Sequence, residues 1–462
     1  MGDRLQEFVE PYEWCFKTKT RDTSEYAVQY VSGQLRVPTK RTIAEISRIM
    51  DVPKQNMHHF ISNSPWSGEA VIDQVQYEMR SHPEYQTGAV LVLDESADEK
   101  AGEMSAGAGR QHNGRLGKID MSQVGVFLTL ATPRVNSWVS GELFIPEKWF
   151  EDEAKEKRKK VGIPETRTFL SKPEIGWQLI QRAQANQLPF DAVAMDDLYG
   201  RNNRLRQRLD KAHIEYYGDV PCNTKVYLDK PKIVYRKGKR KQKLKQYDVV
   251  AKHCVEVQEL LHHADVQWKR LTLRPNERGT LTADFGRIRV WTRNGTKVRP
   301  EWVLFRKNRR DTTYVLSNAN VDLPLETMAQ RKTMRYFIER SNQDSKGELG
   351  WDEFQATKFR AWHHQLALTI LSSWFIAETR LDWMERFQTD PALLVQYETD
   401  ILPMLSVANV RELLRAAIPL PRPSIEEATA LVMEHLVNRT RSRRSRMKQT
   451  EPLPPDFSSG EM

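Results

Sequence analysis

Two short apolar runs, each ending on an aspartate, constrain the fold of this chain more than any other feature. They read GAVLVLD over residues 88–94 and FDAVAMD over residues 190–196. Runs of this length, rich in aliphatic residues, are typical of strands buried on both faces. The second run lies between predicted helices at 170–187 and 201–213, and a further strand is predicted at 214–220. Strand–helix–strand units pair in parallel, so the sequence predicts a mixed α/β sheet.

The two aspartates lie where such a sheet collects functional groups. Asp94 and Asp196 each follow an apolar run, and ligand sites of open α/β sheets lie at the carboxyl ends of strands. Two neighbouring carboxylates repel each other unless a cation joins them. Mg²⁺ prefers oxygen ligands of this kind, and a pair of such ions suits phosphodiester cleavage. The alternative is that each aspartate only caps the loop that follows it.

A third carboxylate would favour the metal site, and a predicted helix over residues 328–350 supplies Glu339. At about 100° per residue, one stripe of this helix carries Lys332, Arg335, Glu339 and Lys346. An acid flanked by cations suits a metal ligand beside a DNA backbone. The alternative is a solvated face with salt bridges along the helix.

The charge of the chain favours a polyanionic partner. The formal net charge is +10, and contacts with phosphates release counterions. One basic cluster spans residues 235–245 and offers Lys237, Lys239 and Arg240 for phosphate contact, while another spans residues 438–448. The alternatives are a solvated loop for the first cluster and a disordered tail for the second.

The N-terminal region contains a pattern similar to a helix-turn-helix at residues 41–64. Two short apolar-periodic segments are separated by a break, and a proline stands where the second helix would begin. In a helix-turn-helix the second helix enters the major groove, so the residues facing the bases would be Lys54, Gln55 and His58. An ordinary helical hairpin is the alternative.

The changes of pattern along the chain predict an α/β fold with a β-rich insertion, flanked by helical N- and C-terminal regions. The predicted segments are 1–86 (helical and DNA-binding), 87–220 (catalytic core, first part), 221–325 (β-rich insertion), 326–375 (core, second part, with the glutamate helix), 376–437 (C-terminal helical region) and 438–462 (basic, then flexible tail). The Gly-rich stretch 100–118 lacks P-loop spacing and is predicted to be a mobile excursion between strands.

Composition restricts the cellular setting. Three scattered cysteines do not make a disulfide framework, and no apolar stretch is long enough to span a membrane. We therefore expect a protein of the reducing cytoplasm without a membrane partner.

The order of these elements resembles the ribonuclease-H-like core of DDE transposases: aspartate, aspartate after a strand–helix unit, β-rich insertion, then glutamate on a helix. Arg335, Glu339 and Lys346 match the Tyr-Arg-Glu-Lys signature of one large group of bacterial insertion-sequence transposases. This chain has Lys332 at the position of the signature tyrosine. The segments similar to that group are LVLDES, GRLGKIDMSQVGV, AMDDLYG and IERSNQDSKGELGWDEF.

The resemblance implies a DNA transposase that cleaves the ends of a mobile element and joins the 3′ ends to target DNA. It implies that Asp94, Asp196 and Glu339 hold two Mg²⁺ ions, with Mn²⁺ as a substitute. Cations of the glutamate helix would contact double-stranded DNA, and a homodimer associated with the bacterial nucleoid would bridge two ends. An aromatic residue of the insertion would stack on a flipped base, for which Trp291 and Trp302 are candidates, with core packing as the alternative.

Two other functions remain open at this point. Another metal-dependent nuclease of the same fold would keep the three acids but act on other DNA structures. A domesticated DNA-binding protein would bind specific sequences without cutting, although it would have no need to keep all three carboxylates.

Overall fold

The computed structural model describes residues 2–114, 117–235, 247–250, 253–276, 279–308, 311–420 and 424–447. The chain divides into two compact units, Met1–Ala417 and Ile418–Met462. The first unit contains the sheet and its covering helices. Within the second unit the described residues include one long helix, Ile425–Met447. The predicted contacts of Lys237, Lys239 and Arg240 lie outside the described residues.

The N-terminal region is helical, as predicted. Its α-helices are α1 (Gly2–Val9), α2 (Glu13–Phe16), α3 (Ser24–Arg36), α4 (Ile43–Ile49), α5 (Lys54–Ser62) and α6 (Gly68–Ser81). Side-chain caps fix where two of them begin, because Thr42 accepts a hydrogen bond from the Glu45 amide and Ser67 from the Ala70 amide. The predicted break between α4 and α5 is present, with Asp51 in a left-handed conformation (φ 53°).

The strands are β1 (Val90–Glu99), β2 (Gly109–Asn113), β3 (Lys118–Ala131), β4 (Asn136–Phe144), β5 (Ala192–Met195), β6 (Tyr216–Val220), β7 (Lys225–Tyr227), β8 (Lys232–Tyr235), β9 (Tyr247–Val250), β10 (Cys254–Glu256), β11 (Gln267–Asn276), β12 (Gly279–Asn294), β13 (Lys297–Lys307) and β14 (Thr312–Ser317). The remaining α-helices are α7 (Lys155–Val161), α8 (Lys172–Ala185), α9 (Asp197–Gly200), α10 (Asn203–Lys211), α11 (Leu325–Thr333), α12 (Tyr336–Gly347), α13 (Phe359–Arg386), α14 (Pro391–Gln396), α15 (Val407–Ala417) and α16 (Ile425–Met447).

One large mixed sheet runs through the first unit in the order β10-β7-β12-β13-β14-β6-β5-β1-β3-β2, with β11 on β12 and β4 on β3. The pairs β1–β5 and β5–β6 are parallel, and β1–β3 is antiparallel. The predicted mixed α/β class is therefore confirmed. The β-rich region continues this same sheet, because β14 pairs with β6.

Two local predictions were wrong. The Gly-rich stretch is not a simple mobile excursion, because it contains β2, which pairs with β3, and because the Ala106 amide donates to the Thr357 carbonyl at 2.8 Å. The single helix predicted over 328–350 is interrupted at Met334 and Arg335, which separate α11 from α12. The stripe of cations and acid is therefore divided between two helices.

Helices cover the sheet and position its functional edge. The long helix α13 packs against α3, α5, α6 and β4, which joins the N-terminal helices to the sheet. Helix α12 packs against β1, β3 and β4. Its attachment to β4 is specific: Asn136 donates to the Ser341 hydroxyl at 2.7 Å and Trp138 to the Asn342 carbonyl oxygen at 3.0 Å. No helix in the described part of the chain combines the length and apolarity needed to cross a membrane.

Candidate active site

The parallel pairing of β1 and β5 brings the two predicted aspartates together. The last paired residues are Leu93 and Met195, so Asp94 and Asp196 follow at the same level of the sheet. Strand β1 continues beyond Asp94 to Glu99, whereas β5 ends before Asp196. Asp94 is therefore at the end of the parallel pairing rather than at the end of its strand.

A neighbouring acid that the sequence analysis did not select completes a cluster of three. Carboxylate oxygens of Asp94, Glu95 and Asp196 all lie within 4.8 Å of one another. Lys172, at the start of α8, lies 2.9 Å from one oxygen of Glu95, and the other oxygen is buried without a hydrogen-bond partner. The position of Glu95 directly after Asp94 could have indicated its role in the sequence. However, consecutive side chains of a strand point to opposite faces, so the pattern did not predict that both acids face the same site.

Each aspartate also makes a local backbone contact, so the capping alternative is correct in part. Asp196 Oδ1 accepts hydrogen bonds from the Leu198 and Tyr199 amides at 3.0 and 3.3 Å, and Asp94 Oδ1 accepts one from the Glu95 amide at 2.8 Å. The Gly200 turn is pressed against β6, because a Cβ there would lie 2.0 Å from the Asp219 carbonyl oxygen. These contacts orient the carboxylates while leaving the other oxygen of each aspartate available to a ligand.

The electrostatics of the cluster favour binding of a cation. Burial, together with the charges of Asp196 and Glu95, raises the pKa of Asp94 to about 8. Burial and the charge of Glu95 raise the pKa of Asp196 to about 6. Arg335 opposes both shifts without cancelling them. The negative charge at this edge is therefore incompletely neutralised by the described side chains.

Arg335 connects the cluster to Glu339. Its guanidinium lies 3.8 Å from Asp94 Oδ2, 3.1 Å from Asp219 Oδ2 and 3.2 Å from Glu339 Oε1. Asp219, on β6, was not identified from the sequence because no apolar run ends on it. Arg335 stands at the interruption between α11 and α12, which lets its side chain reach the sheet edge.

Glu339 lies outside the cluster of three. Among the described residues, the group of three or more acids whose carboxylate oxygens all lie within 4.8 Å of one another consists of Asp94, Glu95 and Asp196. The Glu339 side chain is 57 % exposed and is held by Arg335. Its backbone is fixed because α12 is attached to β4. To join the cluster, the Glu339 side chain would have to leave Arg335.

The two lysines predicted on the glutamate stripe both have carboxylate partners. Lys332 is 5 % exposed and lies 3.2 Å from Asp219. Its burial lowers the pKa of its ammonium group, which Asp219 opposes. Lys346 lies 2.8 Å from Asp98 and donates to the Ala97 carbonyl at 2.7 Å. Neither amine is free in this structure, so the phosphate contacts predicted for Lys332 and Lys346 would require them to leave these carboxylates.

The remaining predicted residues lie in two other regions. Lys54, Gln55 and His58 are exposed on α5. Trp302 donates to the Ala319 carbonyl at 3.2 Å and lies under Arg287 and Arg289, whose guanidinium carbons are 4.5 and 4.9 Å from its ring centre. Trp291 on β12 is partly buried, with the Lys230 ammonium 5.3 Å from its ring centre. The contacts of Trp302 are those of a packed side chain.

The donor set of the cluster fits a hard divalent cation. All of its side-chain ligands are carboxylate oxygens, and one buried oxygen of Glu95 has no hydrogen-bond partner. Burial, followed by the charges of the neighbouring acids, raises the pKa of Asp94. Mg²⁺ prefers oxygen ligands and retains water molecules when few protein ligands are present. Asp94, Asp196 and Glu95 are the residues positioned to hold such an ion.

Comparison with known proteins agrees with this geometry. Residues 11–280 match the family described as DDE superfamily endonuclease, a range that contains Asp94 and Asp196 and ends before Glu339. The chain is 24 % identical over 367 residues to the probable transposase for insertion sequence element IS701 of Microchaete diplosiphon, which covers 76 % of this chain and 82 % of that protein. The family implies dependence on a divalent metal and agrees with a ribonuclease-H-like sheet. Because the match extends over more than half of its length, this chain belongs to the DDE superfamily of endonucleases.

Proposed function

We propose that this protein is a DNA transposase, which binds the ends of a mobile element, cleaves them and joins their 3′ ends to target DNA. The juxtaposition of Asp94 and Asp196 at the end of a parallel strand pair supports the proposal most strongly. Family membership adds the endonuclease class, and the printed name of the relative adds the transposition of an insertion sequence.

The chemistry consists of two phosphoryl transfers. In the first, a water oxygen bonds to phosphorus and the 3′ oxygen leaves, which produces a 3′-hydroxyl on the element. In the second, that 3′ oxygen bonds to a phosphorus of target DNA and the 3′ oxygen of the target strand leaves. No covalent bond to the enzyme is required. Two Mg²⁺ ions, when bound, supply activation of the attacking oxygen and neutralisation of charge on the phosphate.

The chain positions the reactants through its acids and cations. Asp94 and Asp196 would hold the ions on the sheet edge, and Glu339 would join them if its side chain left Arg335. Arg335 and Lys346, once released from Glu339 and Asp98, would contact phosphates near the cut. Lys332 stabilises Arg335 indirectly, because both contact Asp219. Positioning and charge neutralisation are the main sources of rate enhancement in such transfers.

Recognition of DNA uses a separate surface. The exposed residues Lys54, Gln55 and His58 of α5 contact bases of the element end, as in a helix-turn-helix. The protein acts as a homodimer that bridges two ends, so that both ends are cut and joined in one complex.

The test is cleavage of duplex DNA that carries the sequences flanking the gene, in Mg²⁺ or Mn²⁺. We expect the native protein to cut at the ends, and we expect Asp94→Ala, Asp196→Ala and Glu339→Ala to bind these ends without cutting them. Glu385→Ala is the matched control, since Glu385 is an exposed acid on α13. Specific binding without cutting by the native protein in either metal would favour the DNA-binding alternative. Normal cutting by Glu339→Ala would remove that residue from the site.

A further inference from the structure

A cleft of about 610 Å³ opens in the N-terminal helical region, between a short hairpin and α5. Residues that line it include Lys17, Lys19, Arg21, Tyr26, Asn56 and His59. We call this space the hairpin cleft, and the proposed function given above does not use it.

The hairpin spans Lys17–Asp22 and its conformation is fixed by hydrogen bonds. Lys17 and Asp22 form an isolated antiparallel bridge. Thr18 closes the turn, because its hydroxyl donates to the Arg21 carbonyl at 2.8 Å and accepts from the Arg21 amide at 3.1 Å. At the base, Thr23 donates through its hydroxyl to the Phe16 carbonyl at 2.7 Å. The hairpin therefore presents Lys19 and Arg21 from a constrained backbone.

The charges of the hairpin are only partly compensated. Lys17 lies 4.0 Å from Glu13 and 3.8 Å from Asp22. Within the described part of the chain, neither Lys19 nor Arg21 forms an ion pair, and both are exposed. Among the described residues, the side chains that line the cleft include no carboxylate. The wall formed by the hairpin is therefore suited to a polyanion.

The opposite wall belongs to α5 and is polar. Asn56 and His59 face the cleft, and Asn56 donates to the Tyr26 hydroxyl at 3.2 Å. At about 100° per residue, these side chains continue the exposed arc that holds Lys54, Gln55 and His58. Phe60 and Met57 fix the helix from its buried side. A ligand in the cleft would therefore touch the same helix that carries the predicted base contacts.

We propose that the hairpin cleft binds the phosphodiester backbone of duplex DNA next to the groove entered by α5, with Lys19 and Arg21 as the phosphate contacts. The inference rests on the proposed function, since it names a further contact with the same DNA. Arginine and lysine position a protein on the duplex through phosphates, while neighbouring helix residues read the bases. The cleft thereby sets the register of α5 on the DNA.

The experiment measures binding of the full-length protein to a duplex that carries the sequences flanking the gene, in EDTA so that no cutting occurs. The double variant Lys19→Gln/Arg21→Gln removes two charges from exposed positions. Loss of two phosphate contacts makes the negative slope of log K against log salt shallower by about 2, and it weakens binding about 30-fold at about 0.15 M salt. The melting temperature should not change.

The matched control is Lys159→Gln/Lys160→Gln, which removes two exposed charges from α7. We expect it to weaken binding much less. In phosphate-ethylation interference, ethylation of one group of phosphates should weaken binding of the native protein and of the control variant but not of the hairpin variant. The other phosphates at which ethylation weakens binding should be the same for all three proteins. Equal losses for the two variants with the native footprint would overturn the cleft as a site, because net charge alone would then explain the effect. If the native protein cuts the ends and the hairpin variant binds them normally, the cleft is excluded while the transposase proposal stands.

Discussion

Two buried acidic sites of this protein are neutralised to different extents, and the difference separates a structural site from a reactive one. Glu301 on β13 is fully buried and lies 3.1 Å from Arg206 and 3.3 Å from Arg299. It also accepts hydrogen bonds from Tyr216 and Thr292. Burial alone would raise its pKa, but the two arginines lower the pKa of Glu301 below its ordinary value.

The carboxylate edge has the opposite balance. Three acids meet there, and the described cations that contact them are Arg335 and Lys172. Burial, together with the charges of Asp196 and Glu95, raises the pKa of Asp94 to about 8, because Arg335 compensates them only in part. A site built for stability supplies its own counter-charges, whereas a site built for a metal ion leaves charge to be neutralised by the ligand. The following predictions test this contrast, from the largest expected effect to the smallest.

The largest effect is expected for Asp94→Asn. Loss of a metal-holding carboxylate should cost about 4 kcal/mol of transition-state stabilisation, or about 1,000-fold in cleavage rate. The stability of the metal-free protein should stay the same or rise at pH 8, because an amide carries no buried charge. Cleavage kinetics and urea unfolding measure the two quantities. A variant that is both inactive and strongly destabilised would contradict the contrast.

Glu301→Gln should have the reverse profile. It leaves Arg206 and Arg299 without their buried partner, and breaking such a network costs about 3–5 kcal/mol of unfolding free energy. Urea denaturation is the measurement, with Glu385→Gln as a surface control expected to change stability by less than about 0.5 kcal/mol. If the folded fraction of Glu301→Gln retains normal metal binding, Glu301 acts through stability alone.

Divalent metal should stabilise the native protein by mass action. At a free ion concentration of about 100 times the dissociation constant, the gain is about 2.7 kcal/mol. The gain should persist in Glu301→Gln under conditions where it folds, and it should be small in Asp94→Asn. Calorimetric titration with Mg²⁺ or Ca²⁺ and unfolding at increasing ion concentration provide the test. Equal stabilisation of both variants would place the ion elsewhere.

The role of Glu95 is tested by Glu95→Gln. If Glu95 contributes an oxygen to the ion, the variant should bind metal more weakly, by about 10- to 100-fold, a range typical for removal of a supporting carboxylate. Calorimetry measures this affinity without reference to activity. Unchanged affinity would limit Glu95 to its contact with Lys172, and Glu385→Gln again serves as the control.

The smallest effect is the change in unfolding free energy for each pH unit, which is at most about 1.4 kcal/mol for each titrating group. The two sites should respond with opposite signs. Asp94 and Asp196 have folded pKa values of about 8 and about 6, above the value of about 3.9 for an unfolded aspartate. Their contribution is fully present below pH of about 4 and is lost as the pH rises through 6 and 8. The pKa of Glu301 is lowered, so its contribution is present above the unfolded value of about 4.3 and is lost in acid.

Urea unfolding in EDTA across this pH range measures the difference between native protein and Asp94→Asn. We expect the native curve to fall relative to the variant as the pH rises from 4 to 8, and we expect added Mg²⁺ to remove most of that fall. Parallel curves for the native protein and Asp94→Asn would show that ionisation of Asp94 does not lower the free energy of unfolding.

The sequence predicted those parts of the fold that depend on local pattern. The apolar runs before Asp94 and Asp196 identified β1 and β5, since strand length and aliphatic content are local properties. The helix predicted at 170–187 corresponds to α8, whose start is fixed by a capping box of Ser171 and Glu174, a local pattern of residues three apart. Right-handed crossover predicted the parallel pairing of β5 with β6, whereas the pairing of β1 with β5, which brings the two aspartates together, was left open by the sequence.

Only the tertiary structure decided which charges meet. Glu95 joins the aspartates, although strand alternation would place its side chain on the opposite face from Asp94. Asp219 pairs with both Lys332 and Arg335, which are more than 100 residues away in the sequence. Arg206 likewise pairs with the distant Glu301. The interruption at Met334 and Arg335 likewise turned one predicted stripe into two separate contacts. Local periodicity specifies the face of an element, but the partner across that face depends on how distant elements pack, and packing decides whether a buried charge is neutralised by the chain or left for a ligand.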